Sequence, residues 1–356
     1  PHAMTDVPRY RALDRAIRQL REGQHFTICI AGEDRLETTC ADTTAEGANT
    51  SLQVHLRVPP RIFAATHAAA QIATAPALAA AGNSPLFLGC RLWEETRIAL
   101  FKQAVDERGE LDDSWRPAAR VSFGHGWVRE GASELFAESV ALHAPLLPVC
   151  GEEDPLAVCG AGGVPRLEEL RLHHGTVWRW NRAIYDPAEG GHLRIELRAL
   201  ASGPTVADML ANAAFLLGLT LALRGEVDWM LPALPFEHAH RNFYRAAQQG
   251  LDATLLWPVR EAPSPQPVRA RELIGRLLPL AHTGLVAAGV EEAEAARWLG
   301  IVAARTASGQ TGARWQRRAL ARLERGCPRS EALPALVARY RTEAASGRPV
   351  HEWPAP

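Results

Sequence analysis

The chain contains no C-x-x-C pair, no G-x-G-x-x-G and no P-loop, and each absence removes a class of function. Its six cysteines (Cys29, Cys40, Cys90, Cys150, Cys159, Cys327) are scattered. Without paired spacing they form neither a zinc signature nor a disulfide framework, so reduced thiols are expected. The missing glycine fingerprints exclude the common nucleotide-binding loops. Net charge is also scarce: 39 Lys+Arg against 40 Asp+Glu leave −1. No global field therefore steers the chain toward nucleic acid or an anionic membrane. The longest apolar run, Met209 to Leu223, is interrupted by Asn212 and is short for a bilayer span, which predicts a buried core helix. Pro1-His2-Ala3 ahead of Met4 reads as the scar of a cleaved tag, and no signal peptide follows. A soluble, cytoplasmic protein is expected. What remains is ordinary globular material: 356 residues, 47% hydrophobic and 22% charged, with room for one large or two modest domains.

Periodicity organises that material. A helical pattern over Arg9 to Leu20 precedes an alternating strand, Phe26 to Ile30. Leu52, Val54, Leu56 and Val58 alternate with Gln53, His55 and Arg57, which predicts a strand over Ser51 to Val58. An alanine-rich helix from Ile62 to the turn at Gly82 follows, then a helix over Arg91 to Glu107. Val121 to Val128 is a weaker strand candidate, and Cys150 to Pro165 reads as a surface loop. Two strands, Thr176 to Arg182 and His192 to Leu200, are joined by the turn Asp186 to Gly191. Pro204 is placed to open the apolar helix that ends near Gly225. From His238 onward everything reads as helix, broken at a proline-rich linker, Ala262 to Pro267. The order predicts an α+β fold with an antiparallel sheet, in two parts: a domain over 4–257 and a helical C-terminal subdomain over 268–346.

The strands' polar faces carry the chemistry, because side chains at i and i+2 share a face. One strand offers Gln53, His55 and Arg57; a second offers His192, Arg194, Glu196 and Arg198; a third offers Trp178, Trp180 and Arg182. A solvated sheet face alternates in the same way. The mixture of His, Glu and paired Arg points instead to a cleft for a divalent cation and oxyanions, since guanidinium groups grip phosphate or carboxylate in bidentate fashion. Other residues have plainer readings. His173 and His174 are loop histidines; His238 and His240 do not share a helix face. Ser84 lacks acid–base partners, Cys90 is a structural thiol, and Trp93, Trp115, Trp127, Trp178 and Trp180 are mostly core.

Four segments, in order, resemble the bacterial glutamate–cysteine ligase-type carboxylate–amine ligases. They are Glu46 to His55, with its strand ending in Gln53-Val54-His55; Asn83-Ser84-Pro85 followed by Gly89 and Arg91 to Arg97; Trp180-x-Arg182 with Ile195 to Arg198 and Gly203-Pro204-Thr205; and Asn242 to Asp252. The resemblance implies a fold related to glutamine synthetase, a curved antiparallel sheet flanked by helices. It implies ATP and Mg²⁺ as cofactors and an acyl phosphate that an amine converts to an amide. Carried over residue by residue, Glu196 and His55 match metal-binding positions, with Glu46 upstream in a matching context. Arg198 and Arg182 match positions that hold phosphate or substrate carboxylate. Arg194, Gln53 and Trp180, on the same faces, are expected at the nucleotide.

The family's early acidic strand has no counterpart between Met4 and Glu46, so the site is expected to be incomplete. Two readings follow: an ATP-dependent ligase for an amino acid and an amine, or a non-catalytic or half-site homologue completed by a second copy or a partner chain. The expected mark of incompleteness is an exposed sheet edge or apolar surface beside the strand Ser51 to Val58. On the ligase reading, Glu196→Gln should abolish Mg²⁺-dependent nucleotide binding and barely change the melting temperature.

Overall fold

The computed structural model describes residues 4–109 and 117–356; Pro1–Ala3 and Trp115 lie outside the described residues. The fold is α+β, as the pattern predicts, with helices dominant and the strands in small antiparallel sheets. Helix α1 (Pro8–Leu20) precedes a hairpin of β1 (Phe26–Ala31) and β2 (Arg35–Cys40). Phe26, Ile28 and Ile30 turn inward on β1, as a period of two requires. Strand β3 (Val54–Arg57) leads into α2 (Phe63–Ala81), which is apolar all round instead of along one stripe. Such a helix must be covered on every side, and α2 is buried almost throughout. The short β4 (Leu86–Phe87) and β5 (Cys90–Arg91) come next, then α3 (Arg97–Ala104), α4 (Ala132–Leu142), α5 (Pro155–Gly160) and α6 (Glu168–His174). Strands β6 (Asn181–Asp186) and β7 (His192–Leu197) form the expected hairpin, and β7 also pairs with β3. The sheet that carries the polar faces thus has three strands, in the order β3-β7-β6. Strand β3 is its edge, and among the described residues no further strand pairs with it.

Several boundaries differ from the sequence reading, each for a local reason. Thr176 to Trp180 is not part of β6: Thr176 closes a turn after α6, and Trp178 N and Trp180 N donate to the Arg120 and Ser122 carbonyls. The strand expected over Val121 to Val128 shrinks to a bridge at Ser122, since Gly124 turns the chain with φ +116°. The helix expected from Arg91 begins only at Arg97; Glu94 and Glu95 instead bond through their backbone to Gln248 and Ala247. The loop over Cys150 to Pro165 contains α5.

The C-terminal half opens with α7 (Val206–Leu223). Thr205 caps it by accepting from Asp208 N at 3.2 Å, so Pro204 stands before the cap and not in the first turn. Then follow α8 (Val227–Ala233), α9 (Phe236–Gln249), β8 (Thr254–Trp257), β9 (Gln266–Arg269), α10 (Ala270–Ala287), α11 (Glu292–Ser308), α12 (Gly312–Leu323) and α13 (Arg329–Ala345). The all-helical reading after His238 is corrected by the β8–β9 hairpin, which encloses the proline-rich stretch. Asn242 on α9 braces it, exchanging two hydrogen bonds of 2.7 and 2.8 Å with the Leu256 backbone. Helices α7 and α10 meet backbone to backbone at Gly218 and Gly284, where a Cβ on either would strike a carbonyl of the other helix.

Besides a small cluster of Ile28, Ile30, Leu36, Leu92 and Leu100 at the β1–β2 hairpin, one large core joins α2, α7, α9, α10 and α11, and a smaller one gathers Trp315, Leu320, Leu336, Val350 and Trp353. The segments Pro60–Ala81 and Val206–Leu223 have the length and composition of membrane spans, but 83% and 50% of their apolar windows are buried inside the protein. A buried ion pair ties the two cores together: Arg305 donates to Asp208 at 2.7 Å, and the other Asp208 oxygen accepts from Thr205 Oγ1 and from Val350 N. Breaking one partner of such a pair leaves an uncompensated buried charge. Asp208→Ala and Arg305→Met are therefore each expected to cost about 3–5 kcal/mol, read from the urea midpoint, because either leaves the other charge buried and unpaired.

Candidate functional site

The register of the three-stranded sheet sets His55, Glu196 and Arg182 directly opposite one another across β3, β7 and β6. Side chains of directly opposed residues on one face are neighbours, so these three must meet. They do so around the Glu196 carboxylate, which is only 3% exposed. One of its oxygens, Oε2, accepts from Arg182 Nε at 2.7 Å and from Arg198 Nη1 at 3.1 Å. The other, Oε1, lies 3.4 Å from His55 Nε2. Gln53, with its carboxamide nitrogen turned to the carboxylate, donates to Oε1 at 2.8 Å, and its oxygen accepts from Arg198 Nη1 at 3.3 Å. Four side chains predicted from face parity thus converge on one carboxylate.

Charge decides what this cluster can hold. Burial alone would push the Glu196 carboxyl up, but the Arg182 and Arg198 guanidinium groups outweigh it and hold the group below its ordinary 4.5. Burial pulls the His55 imidazole below its ordinary 6.5; Glu196 opposes this and the neighbouring arginines reinforce it, so the ring is neutral at pH 7. One carboxylate against two guanidinium groups leaves one net positive charge. Glu46, at the rim in the turn Thr43–Ala48, has its carboxyl raised by partial desolvation, with Arg198 pulling the other way. A cavity of about 430 Å³ opens beside the cluster, lined by Arg9, Tyr10, Thr43, Glu46, Trp178 and Arg182 among others.

The remaining expected residues fare differently. Arg194 faces the same way but is engaged by Asp186 at 2.9 Å. Trp180, placed at the nucleotide by parity, is 1% exposed and lies in the core instead. It packs against Phe101 and Phe243 below the sheet face, with the Arg97 guanidinium 5.4 Å from its ring. Trp178, read as core, lines the cavity instead. Arg9 and Tyr10 were invisible to strand-based reasoning because they reach the site from α1. Parity with Arg182 was the available signal for Trp178; nothing in sequence flagged α1.

The chain belongs to glutamate–cysteine ligase family 2. The model of that family matches residues 1–339. No curated protein matches the chain. Members of the family are ATP-dependent ligases that generally use Mg²⁺.

The residues gathered here do not form a ready site for that ion. Mg²⁺ takes near-octahedral oxygen ligands, chiefly carboxylates, phosphates and water. Glu196 has committed its oxygens to guanidinium and amide donors, and imidazole is a poor ligand for so hard a cation. Among the described residues no group of three or more His, Cys, Asp or Glu could hold a metal. The expected set of Glu196, His55 and Glu46 therefore brings two members together and leaves Glu46 at the rim.

This geometry also revises the expectation that Glu196→Gln leaves stability untouched. The carboxylate is structural as well as chemical, and losing charge-assisted bonds to two arginines is expected to cost about 1.5–3 kcal/mol at pH 7. Because the folded-state pKa is depressed, the contribution is complete above about pH 4.5 and is lost as pH falls through the folded value. Urea unfolding of both proteins across that range should show the variant lacking this portion of the acid sensitivity.

Proposed function

We propose that the chain is an ATP-dependent carboxylate–amine ligase that activates an amino-acid carboxylate as an acyl phosphate and passes the acyl group to an amine. The observation that carries this reading is the cationic pair Arg182–Arg198, locked on Glu196, with Arg182 lining a cavity, in a chain of this family. In the proposed reaction a substrate carboxylate oxygen attacks the γ-phosphorus of ATP, and the bond to ADP breaks. The amine nitrogen then attacks the carbonyl carbon, phosphate departs, and the nitrogen's proton goes to solvent. The arginines supply positive charge where the transferring phosphoryl oxygens and the acyl phosphate carry negative charge. Glu196 fixes their planes in advance, which avoids paying for orientation during reaction. The cavity suits an amino acid: Arg9 and Arg182 face its carboxylates and Glu46 its ammonium group. The proposed setting is a soluble protein of the cytoplasm, where the six free thiols stay reduced.

A second reading has its own observation. The open β3 edge, with no metal-competent cluster among the described residues, fits a half-site homologue that binds a ligand or a partner strand. Solution mass and ADP release with glutamate and a panel of amines separate the two. Turnover by the isolated chain supports the ligase; phosphate or ATP binding without turnover supports the half-site. On either reading Arg198→Ala and Arg182→Ala should each weaken ATP or phosphate binding about tenfold, the worth of one charge-assisted hydrogen bond. Unchanged affinity in both variants would show these arginines to be purely structural.

A further inference from the structure

A second cavity lies behind the sheet, on the side of the β6 segment opposite Arg182. It holds about 130 Å³ and is lined by His67 and Gln71 from α2, by Trp127, and by Glu138 and Arg179. Four polar atoms of these residues have no hydrogen-bond partner: His67 Nδ1, Gln71 Oε1, Trp127 Nε1 and Arg179 Nε. His67, Gln71 and Arg179 are 2%, 2% and 1% exposed, so bulk water does not satisfy them. An orphaned buried polar group is costly, and four around one cavity call for an occupant.

The donors and acceptors can be assigned. His67 Nε2 lies 3.1 Å from the Asn181 carbonyl oxygen, which can only accept, so Nε2 carries the proton and Nδ1 is an acceptor. Burial, the largest influence, lowers the His67 pKa to about 4, which keeps the ring neutral at physiological pH. Gln71 Nε2 donates to the Phe123 carbonyl at 2.9 Å, leaving Oε1 as a second acceptor one turn along the same helix. Trp127 Nε1 and Arg179 Nε can only donate. Arg179 and Glu138 neutralise each other through a 2.6 Å bond, and Glu138 also holds His125 at 2.8 Å. The cavity therefore presents two free acceptors and two free donors; a further carboxylate in its wall, Glu134, is held by the backbone N–H groups of Arg129, Glu130 and Gly131.

We infer that this cavity is a binding site for a small neutral molecule or substituent carrying a primary carboxamide. The amide NH₂ donates to His67 Nδ1 and Gln71 Oε1, and its carbonyl accepts from Trp127 Nε1 or Arg179 Nε. The volume matches: 130 Å³ is about four waters' share of liquid, enough for a short amide. A carboxylate of the same shape would set its oxygens against the two acceptors, and an ammonium ion would leave the two donors without a partner. The site is distinct from the Arg182–Arg198 cluster, which faces the other side of the sheet.

The test is a titration of the whole chain with acetamide, followed by the Trp127 indole N–H and the His67 ring nitrogens in NMR spectra. Trp127→Phe assigns the indole signal. Saturable shifts at both groups with acetamide, absent with acetate, are expected. Gln71→Leu should weaken the acetamide response about fivefold, the worth of one neutral hydrogen bond. Arg182→Ala should leave the response in place, so the outcome does not depend on the proposed ligase chemistry. No saturable shift, equal responses to acetamide and acetate, or ordered water alone in crystals soaked with acetamide would overturn the assignment. Should Gln71→Leu fail to fold, the wild-type comparison of the two probes decides the matter by itself.

Discussion

The carboxylate of Glu196 between two guanidinium groups is the contact on which the polar half of the sheet depends. A carboxylate this buried stays ionised only because Arg182 and Arg198 hold it so, and two arginines this close stay together only because the carboxylate separates their charges. Each is the condition of the other. Gln53, just ahead of the edge strand, and His55 within it then fill the remaining directions around Oε1. The arrangement keeps net positive charge at a fixed place without flexible side chains that would have to be ordered by a ligand.

The sheet divides the labour between its faces. On one, the register delivers charged residues to an open cavity. On the other, Asn181 turns toward α2 and bonds its His67 and Thr74, while Gln71 of the same helix donates to the Phe123 carbonyl, which together make a buried polar layer. Such layers satisfy backbone carbonyls that a purely alanine surface would leave bare, and they pin the helix in one rotation against the strand. The large core beyond is built from helices that can approach closely because their contact residues are small, as at Gly218 and Gly284.

Much of the site was legible because the signal was local. Face parity along single strands placed Gln53, His55, Arg182, Glu196 and Arg198 together, and the antiparallel register then aligned them. The strands' ends were not legible, because Trp178 and Trp180 bond to Arg120 and Ser122, a partner far away in sequence. Parity likewise could not tell that the sheet face passes under α3, so Trp180 became floor and not wall. The β8–β9 hairpin was hidden by its prolines, which read as a linker until Asn242 supplies the bonds that hold the strand in place. The contribution of α1 to the cavity is a matter of tertiary packing alone, and no pattern within Pro8–Leu20 announces it.

The edge strand has a consequence for how this protein behaves among its own copies. In an antiparallel ladder, only alternate residues of an edge turn their N–H and C=O outward, so a strand of four offers about two such residues to a newcomer. Two residues cannot hold a free chain against the entropy of ordering it. The exposed His55 and Arg57, and the prolines at 59 and 60 that stop the strand, further blunt the edge. Casual stacking into fibrils is thereby discouraged, and a chain that settles there must bring most of its grip from contacts beyond the backbone.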